Sequence, residues 1–449
     1  MVRDLTQGQP LKLLFHFSLP MLAGNLFQQL YNMVDTAVVG KFVGEDAVAA
    51  VGSSFPVVFL SIAVAAGLSM GCNVVVSQLF GAKRIHEMKT TISTALISLG
   101  VLGAVIMVLG TVFAGPLLRL LGTDPDILPS SQVYLQIYFG GALFLFVYNT
   151  LNGIYNALGD SRTTLVFLMI SSLGNIVLDL LFVIQFHMGV AGVAWATLIS
   201  QGVCAVLSLI VLLLRMRKLP NEAEHENEKS PLFHKTAVKR IAQIGVPSMF
   251  QQAMVSLSMM LMQGLVNSYG KVFVAGYTAA TKIDTLAMMP NMNFSNAMSS
   301  YTAQNIGAGH YDRVKQGLKS CMLMVLIFSV FITAAIFLFG DQLLSLFLDP
   351  SDTTGALSYG LHYMHTVSIF YLLMGVLFVV NGMLRGAGDM GFFTFSSLSN
   401  LFSRVIIAYL LAHFIGSAAI WWSIPSGWLV GSIVALLRAK SGKWMRQAV

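Results

Sequence analysis

Within the first apolar stretch of the sequence, Tyr31, Asn32 and Asp35 follow Gln28 by three, four and seven residues. On a helix this spacing puts all four side chains on one face. A polar face is expensive in hydrocarbon, so a carboxylate that persists there is a candidate for function and is expected to turn toward protein rather than lipid. Farther along, Asn175 and Asp179 stand four residues apart, which sets an amide oxygen and a carboxylate one helical turn from each other. Thr197 offers another oxygen. Such a donor set suits a small hard cation: Asp35, Asn175, Asp179 and Thr197 either ligate sodium, or the two aspartates share and release protons. The residues leave that choice open. A purely structural reading also stands, in which Asp35 snorkels from a helix end while Asn175 and Asp179 tie neighbouring helices together.

Other side chains extend the set. Asn149, Asn152 and Asn156 run along one helical face and read as a polar wall of a substrate cavity, with close helix packing as the alternative. Gln28, Tyr31 and Asn32 belong to the same cavity, and Met169, one of 25 methionines, suits an adaptable apolar lining. Pro20 removes one backbone hydrogen bond from the first helix and permits a bend that would move Asp35. In the second half of the chain Lys282, Asp284 and Arg404 form a candidate internal charge network, structural or functional, with Asp284 as a possible second protonation site.

The elements that position these residues are helices in lipid. Of 449 residues 56% are hydrophobic and 10% charged, with a mean hydropathy of +0.76. Repeated apolar runs of bilayer-spanning length, without strand-like alternation, predict an all-α polytopic membrane protein of about twelve transmembrane helices. The run from Leu11 to Gly40 is too long and too polar for a cleavable signal and reads as the first functional helix. Cys72, Cys204 and Cys321 lie inside apolar runs, with neither disulfide nor metal spacing. With the N-terminus inside, 21 of the 26 Lys and Arg fall in cytoplasmic segments, against Lys41, Arg119 and Lys271 outside and Lys282 and Arg404 within helices. This asymmetry sets orientation, with both termini cytoplasmic. It also accounts for the net charge of +7 without nucleic acid.

The chain repeats itself. Gln78-Leu79-Phe80-Gly81-Ala82 recurs 226 residues later as Gln304-Asn305-Ile306-Gly307-Ala308, and Asn152-Gly153 with Gly159-Asp160 recurs 229 residues later as Asn381-Gly382 with Gly388-Asp389. Leu19-Pro20 pairs with Val246-Pro247, and Ser171 to Asn175 pairs with Ser396 to Asn400. Residues 1–216 are therefore read as an N-lobe of helices one to six, 217–235 as a cytoplasmic linker rich in Glu222, Glu224, Glu226 and Glu228, and 236–449 as a C-lobe of helices seven to twelve. Two six-helix repeats are a plan for alternating access with a substrate path between the lobes. The lobes differ in chemistry, since Asp35 corresponds to Met262 and Asp179 to Arg404, which places ion coupling in the N-lobe.

On the paired Gln-x-x-Gly-Ala and Asn-Gly with Gly-Asp motifs, the chain resembles the multidrug and toxic compound extrusion (MATE) transporters over nearly its full length, and within them the DinF-type branch. That branch has an N-lobe cation site like Asp35, Asn175, Asp179 and Thr197 and a bending proline like Pro20. The resemblance implies export of cationic or amphipathic drugs in exchange for protons or sodium, across a bacterial or archaeal inner membrane. No cofactor other than the coupling ion is expected, and the protein is expected to be monomeric. The acids that another branch, the NorM type, carries in helices seven and ten are replaced near Gln251, Gln252 and Met374. A flippase for a lipid-linked precursor is the related alternative; it would favour a cationic cavity and extra helices. No nucleophile, phosphate-loop or zinc-peptidase pattern supports an enzyme.

Overall fold

The computed structural model describes residues 3–219, 230–348 and 355–446, so the acidic linker cluster of Glu222, Glu224, Glu226 and Glu228 lies outside the described residues. Within them the chain forms fourteen α-helices: α1 (Pro10–Phe42), α2 (Glu45–Gly81), α3 (Ile85–Leu120), α4 (Leu128–Gly140), α5 (Ala142–Ala157), α6 (Ser161–Leu180), α7 (Gly189–Lys218), α8 (Lys235–Asn267), α9 (Lys271–Gly307), α10 (Tyr311–Leu344), α11 (Ala356–Ser368), α12 (Tyr371–Gly386), α13 (Met390–Ile415) and α14 (Ala418–Ser441). The C-terminal end of α6 continues as a π-helical turn, Leu181–Gln185.

Seven of these helices are long and apolar enough to cross a bilayer, and two bent pairs, α4 with α5 and α11 with α12, each make one further span. The more polar α1, α8 and α9, at 33, 33 and 37 residues, are also long enough and complete twelve. The two pairs are bent by 50° and 54°. At the first bend the adjacent Gly140 and Gly141 weaken helix continuity. The second falls at Ile369-Phe370, where no glycine or proline announces it.

The chain packs as two compact units, one made of Met1–Asp4 with Leu19–Met249, the other of Leu5–Ser18 with Phe250–Val449. Two of the three boundaries fall inside α1 and α8, within three residues of Pro20 and Pro247, and the third lies between Asp4 and Leu5, ahead of α1.

Each unit is sealed by the same seam. In the first, a Cβ on Gly153 would lie 2.8 Å from Ser69 O, so only glycine allows α5 to meet α2 there, and Ser69 Oγ donates to Asn149 O at 2.5 Å. In the second, Gly382 of α12 meets Ser295 of α9, and Ser295 Oγ donates to Phe378 O at 2.6 Å. The serines are 226 residues apart and the glycines 229, the offsets of the sequence motifs.

The Gly-Asp turns are also duplicated. Gly159 and Gly388 have φ of +71° and +79°, a left-handed conformation that favours glycine. Asp160 then caps α6, accepting from Thr163 N at 3.2 Å, and takes Arg215 Nη1 of α7 at 2.5 Å. Asp389 takes Arg438 Nε of α14 at 2.5 Å. In both units the last helix is thus fastened to the motif by a carboxylate whose side chain is almost fully buried.

Burial alone would raise the Asp160 carboxyl, but the hydrogen bonds it accepts, those from Thr163 and Arg215 among them, together outweigh it and hold the group below the ordinary carboxylate range. A depressed carboxyl contributes stability that is present above its unfolded value and lost as pH falls through the folded one. Asp160→Asn is therefore expected to cost about 2 kcal/mol near pH 7, seen as a lower thermal unfolding midpoint of the purified protein. The deficit should shrink below about pH 4; equal midpoints at neutral pH would contradict this role.

Candidate functional site

Helices α1 and α6 lie side by side in the first unit. A Cβ on Gly24 would come 3.2 Å from Leu168 Cδ2, so the missing side chain lets the two helices approach. Asp35 and Asp179 each stand eleven residues, about three turns, farther along. Equal spacing along parallel neighbours brings the carboxyls together, and they lie within hydrogen-bonding reach of each other. Asp179 is fully buried and Asn175 nearly so, while Asp35 is half-buried.

Two ionised carboxylates in such contact repel strongly, and a hydrogen bond between them requires a proton on one. The surroundings fit that state. The Asn175 amide lies 2.8 Å from Asp179 Oδ2 and 3.3 Å from Thr197 Oγ1. Tyr31, one turn before Asp35, is within hydrogen-bonding reach of Thr197. The four sequence-derived coupling residues and Tyr31 therefore meet in one cluster on α1, α6 and α7. One oxygen of each aspartate, Oδ1 in both cases, is enclosed and meets no donor among the described residues.

Two tyrosines that sequence reasoning did not single out complete this cluster from α4. Tyr134 is in electrostatic contact with both aspartates, and its ring stacks on Tyr138 with centroids 6.4 Å apart. Their four-residue spacing puts them on one face of α4, a signal that in an apolar span looks like ordinary core.

Other predicted residues spread out. Gln28 and Asn32 are exposed on α1, and Pro20 lies inside that continuous helix. Asn149 donates back to Leu145 O of its own helix at 2.9 Å, whereas the Oδ1 atoms of Asn152 and Asn156 are enclosed without a donor. Met169 is half-buried on α6.

In the second unit Asp284 is buried and receives Tyr371 OH on Oδ1 at 2.6 Å and Tyr363 OH on Oδ2 at 3.0 Å. Arg404 is in electrostatic contact with it and with Tyr277. Lys282 stands apart, exposed, with Nζ 5.2 Å from the Phe347 ring centroid. Residues two apart on a helix face different ways, which separates it from Asp284.

A family model described as MatE matches residues 20–181 and again 247–410, the two stretches opening on Pro20 and Pro247. The chain belongs to the MATE family. It is 32% identical over 445 residues to the probable multidrug resistance protein YpnP of Bacillus subtilis (strain 168), covering 98% of this chain and 97% of that one. To YoeA, a probable multidrug resistance protein of the same organism, it is 29% identical over 426 residues, covering 93% and 91%. Its fold is similar to an outward-facing multidrug resistance MATE family transporter of the MOP superfamily, with a TM-score of 0.90 at 25% identity and coverage of 99% and 98%. Like other MATE proteins, the chain is a multi-pass membrane transporter and not an enzyme.

If the Asp35 and Asp179 pair carries the transport cycle, a neutral amide at either position removes a group that must gain and lose charge. Asp35→Asn and Asp179→Asn are each expected to reduce ethidium efflux from proteoliposomes at least tenfold while the protein still inserts and elutes as a monodisperse peak. Wild-type rates in either variant would remove the pair from the mechanism.

Proposed function

We propose that this MATE protein is a secondary active efflux antiporter that exports cationic or amphipathic compounds in exchange for protons, with the Asp35–Asp179 pair as the coupling site. The observation that carries the reading is the contact between two carboxyls inside a membrane-spanning bundle. A shared proton makes the pair singly charged; when the proton leaves, the pair carries two negative charges in a medium that hydrates neither. A substrate cation or a new proton then restores balance. Binding of one weakens binding of the other, and linkage makes the effect mutual.

Proton coupling is supported by the contact between the Asp35 and Asp179 carboxyls, which can hold a shared proton without any further ligand. The basic residues flanking the spans support an inner-membrane protein with both termini in the cytoplasm.

For one-for-one exchange, a gradient of one pH unit is worth about 1.4 kcal/mol and sustains roughly a tenfold substrate ratio. In proteoliposomes preloaded with ethidium, an imposed proton gradient without sodium is expected to drive efflux, and a sodium gradient at equal pH on both sides is expected to drive none. Efflux on the sodium gradient alone would overturn proton coupling.

A further inference from the structure

The motif Ser171 to Asn175 is repeated as Ser396 to Asn400, and four residues beyond each asparagine the first copy has Asp179 and the second Arg404. In the structure both copies are helical there, in α6 and α13. The second unit thus keeps the framework of the coupling site and reverses its charge.

Arg404 is incompletely used by the protein. It lies against α14, where a Cβ on Gly427 would come 3.0 Å from Arg404 Cβ, so its stem is packed within the unit. Its Nε is enclosed and meets no acceptor. Asp284, in electrostatic contact with Arg404, does not take up the guanidinium: it receives a phenol on each oxygen, and among the described residues it forms no ion pair with Arg404. Tyr277 is within hydrogen-bonding reach, and the Asn400 Oδ1 one turn away is enclosed and also without a donor. A guanidinium in a membrane span with an unsatisfied Nε is costly, and a cost of this kind marks a place where a ligand completes the coordination.

We propose that Arg404 binds the anionic group, a carboxylate or phosphate, of amphipathic aromatic substrates. The planar fork of a guanidinium matches either group with paired hydrogen bonds. Tyr277, packed edge-on against Tyr363 with centroids 5.5 Å apart, provides an aromatic wall beside it. The substrate range then includes zwitterionic and anionic compounds, taken up at a site separate from the N-lobe aspartates. This rests on the transporter reading but not on the cation assignment.

The test uses fluorescein, an aromatic carboxylate, beside ethidium. Fluorescence polarisation with the purified full-length protein measures fluorescein binding, and proteoliposomes measure export of both dyes. The wild type is expected to bind and export fluorescein. Arg404→Gln should weaken fluorescein binding at least tenfold and stop its export, with ethidium efflux within twofold of wild type. Arg404→Lys keeps the charge without the fork and should weaken binding severalfold, which serves as the test if the glutamine variant does not fold. Fluorescein affinity unchanged in both variants, no binding by the wild type, or equal loss of both dyes in Arg404→Gln would overturn the proposal. A wild type that exports fluorescein but not ethidium would instead overturn the cation reading and leave the Arg404 site standing.

Discussion

In hydrocarbon a carboxylate has no water to share its charge with, so any acid kept inside a span must be held by donors the protein supplies. Asp35 and Asp179 meet this constraint by leaning on each other, which works only while a proton lies between them. Asn175 and Thr197 extend the arrangement by one hydrogen bond each, and Tyr31 and Tyr134 stand close by. Loss of the proton leaves adjacent negative charges without compensation. On the coupling role proposed for it, the pair then has two states that differ strongly in their preference for a cation.

The scaffold that places the pair is economical. Gly24 lets α1 approach α6, and equal spacing along the two helices then delivers the carboxyls to one point. Elsewhere each unit uses the same fastenings twice: a glycine-to-serine seam in its core, and a Gly-Asp turn anchoring an arginine of its last helix. These duplicated parts hold helices together, whereas the positions that carry intramembrane charge have diverged, Asp179 in one copy standing where Arg404 stands in the other. Structure is repeated and chemistry is not. This is the pattern expected if the seams serve stability and the divergent positions serve different ligands.

Much of this architecture is legible in the sequence alone. The apolar runs marked twelve spans because a bilayer imposes length and hydrophobicity together, and the four-residue step from Asn175 to Asp179 put both on one face. The contact from Asp179 to Asp35 was not legible, because residues 144 apart in sequence meet only through helix packing at Gly24. Tyr134 and Tyr138 were hidden for a related reason: an aromatic in an apolar span looks the same whether it faces lipid, core or a site. The bend at Ile369-Phe370 carries no glycine or proline, and the separation of Lys282 from Asp284 depended on helical phase rather than nearness in sequence. The Gly-Asp motif was visible as a repeat, but its work as a cap and ion-pair anchor required knowing which arginine reaches it.

If substrate and proton compete for the Asp35–Asp179 pair, substrate binding must displace a proton. Ethidium titrated into purified protein in weakly buffered detergent solution, with a pH indicator present and sodium absent, is predicted to release about one proton per ethidium bound, and Asp35→Asn is predicted to release none. Ethidium binding by the wild type without any proton release would contradict the account.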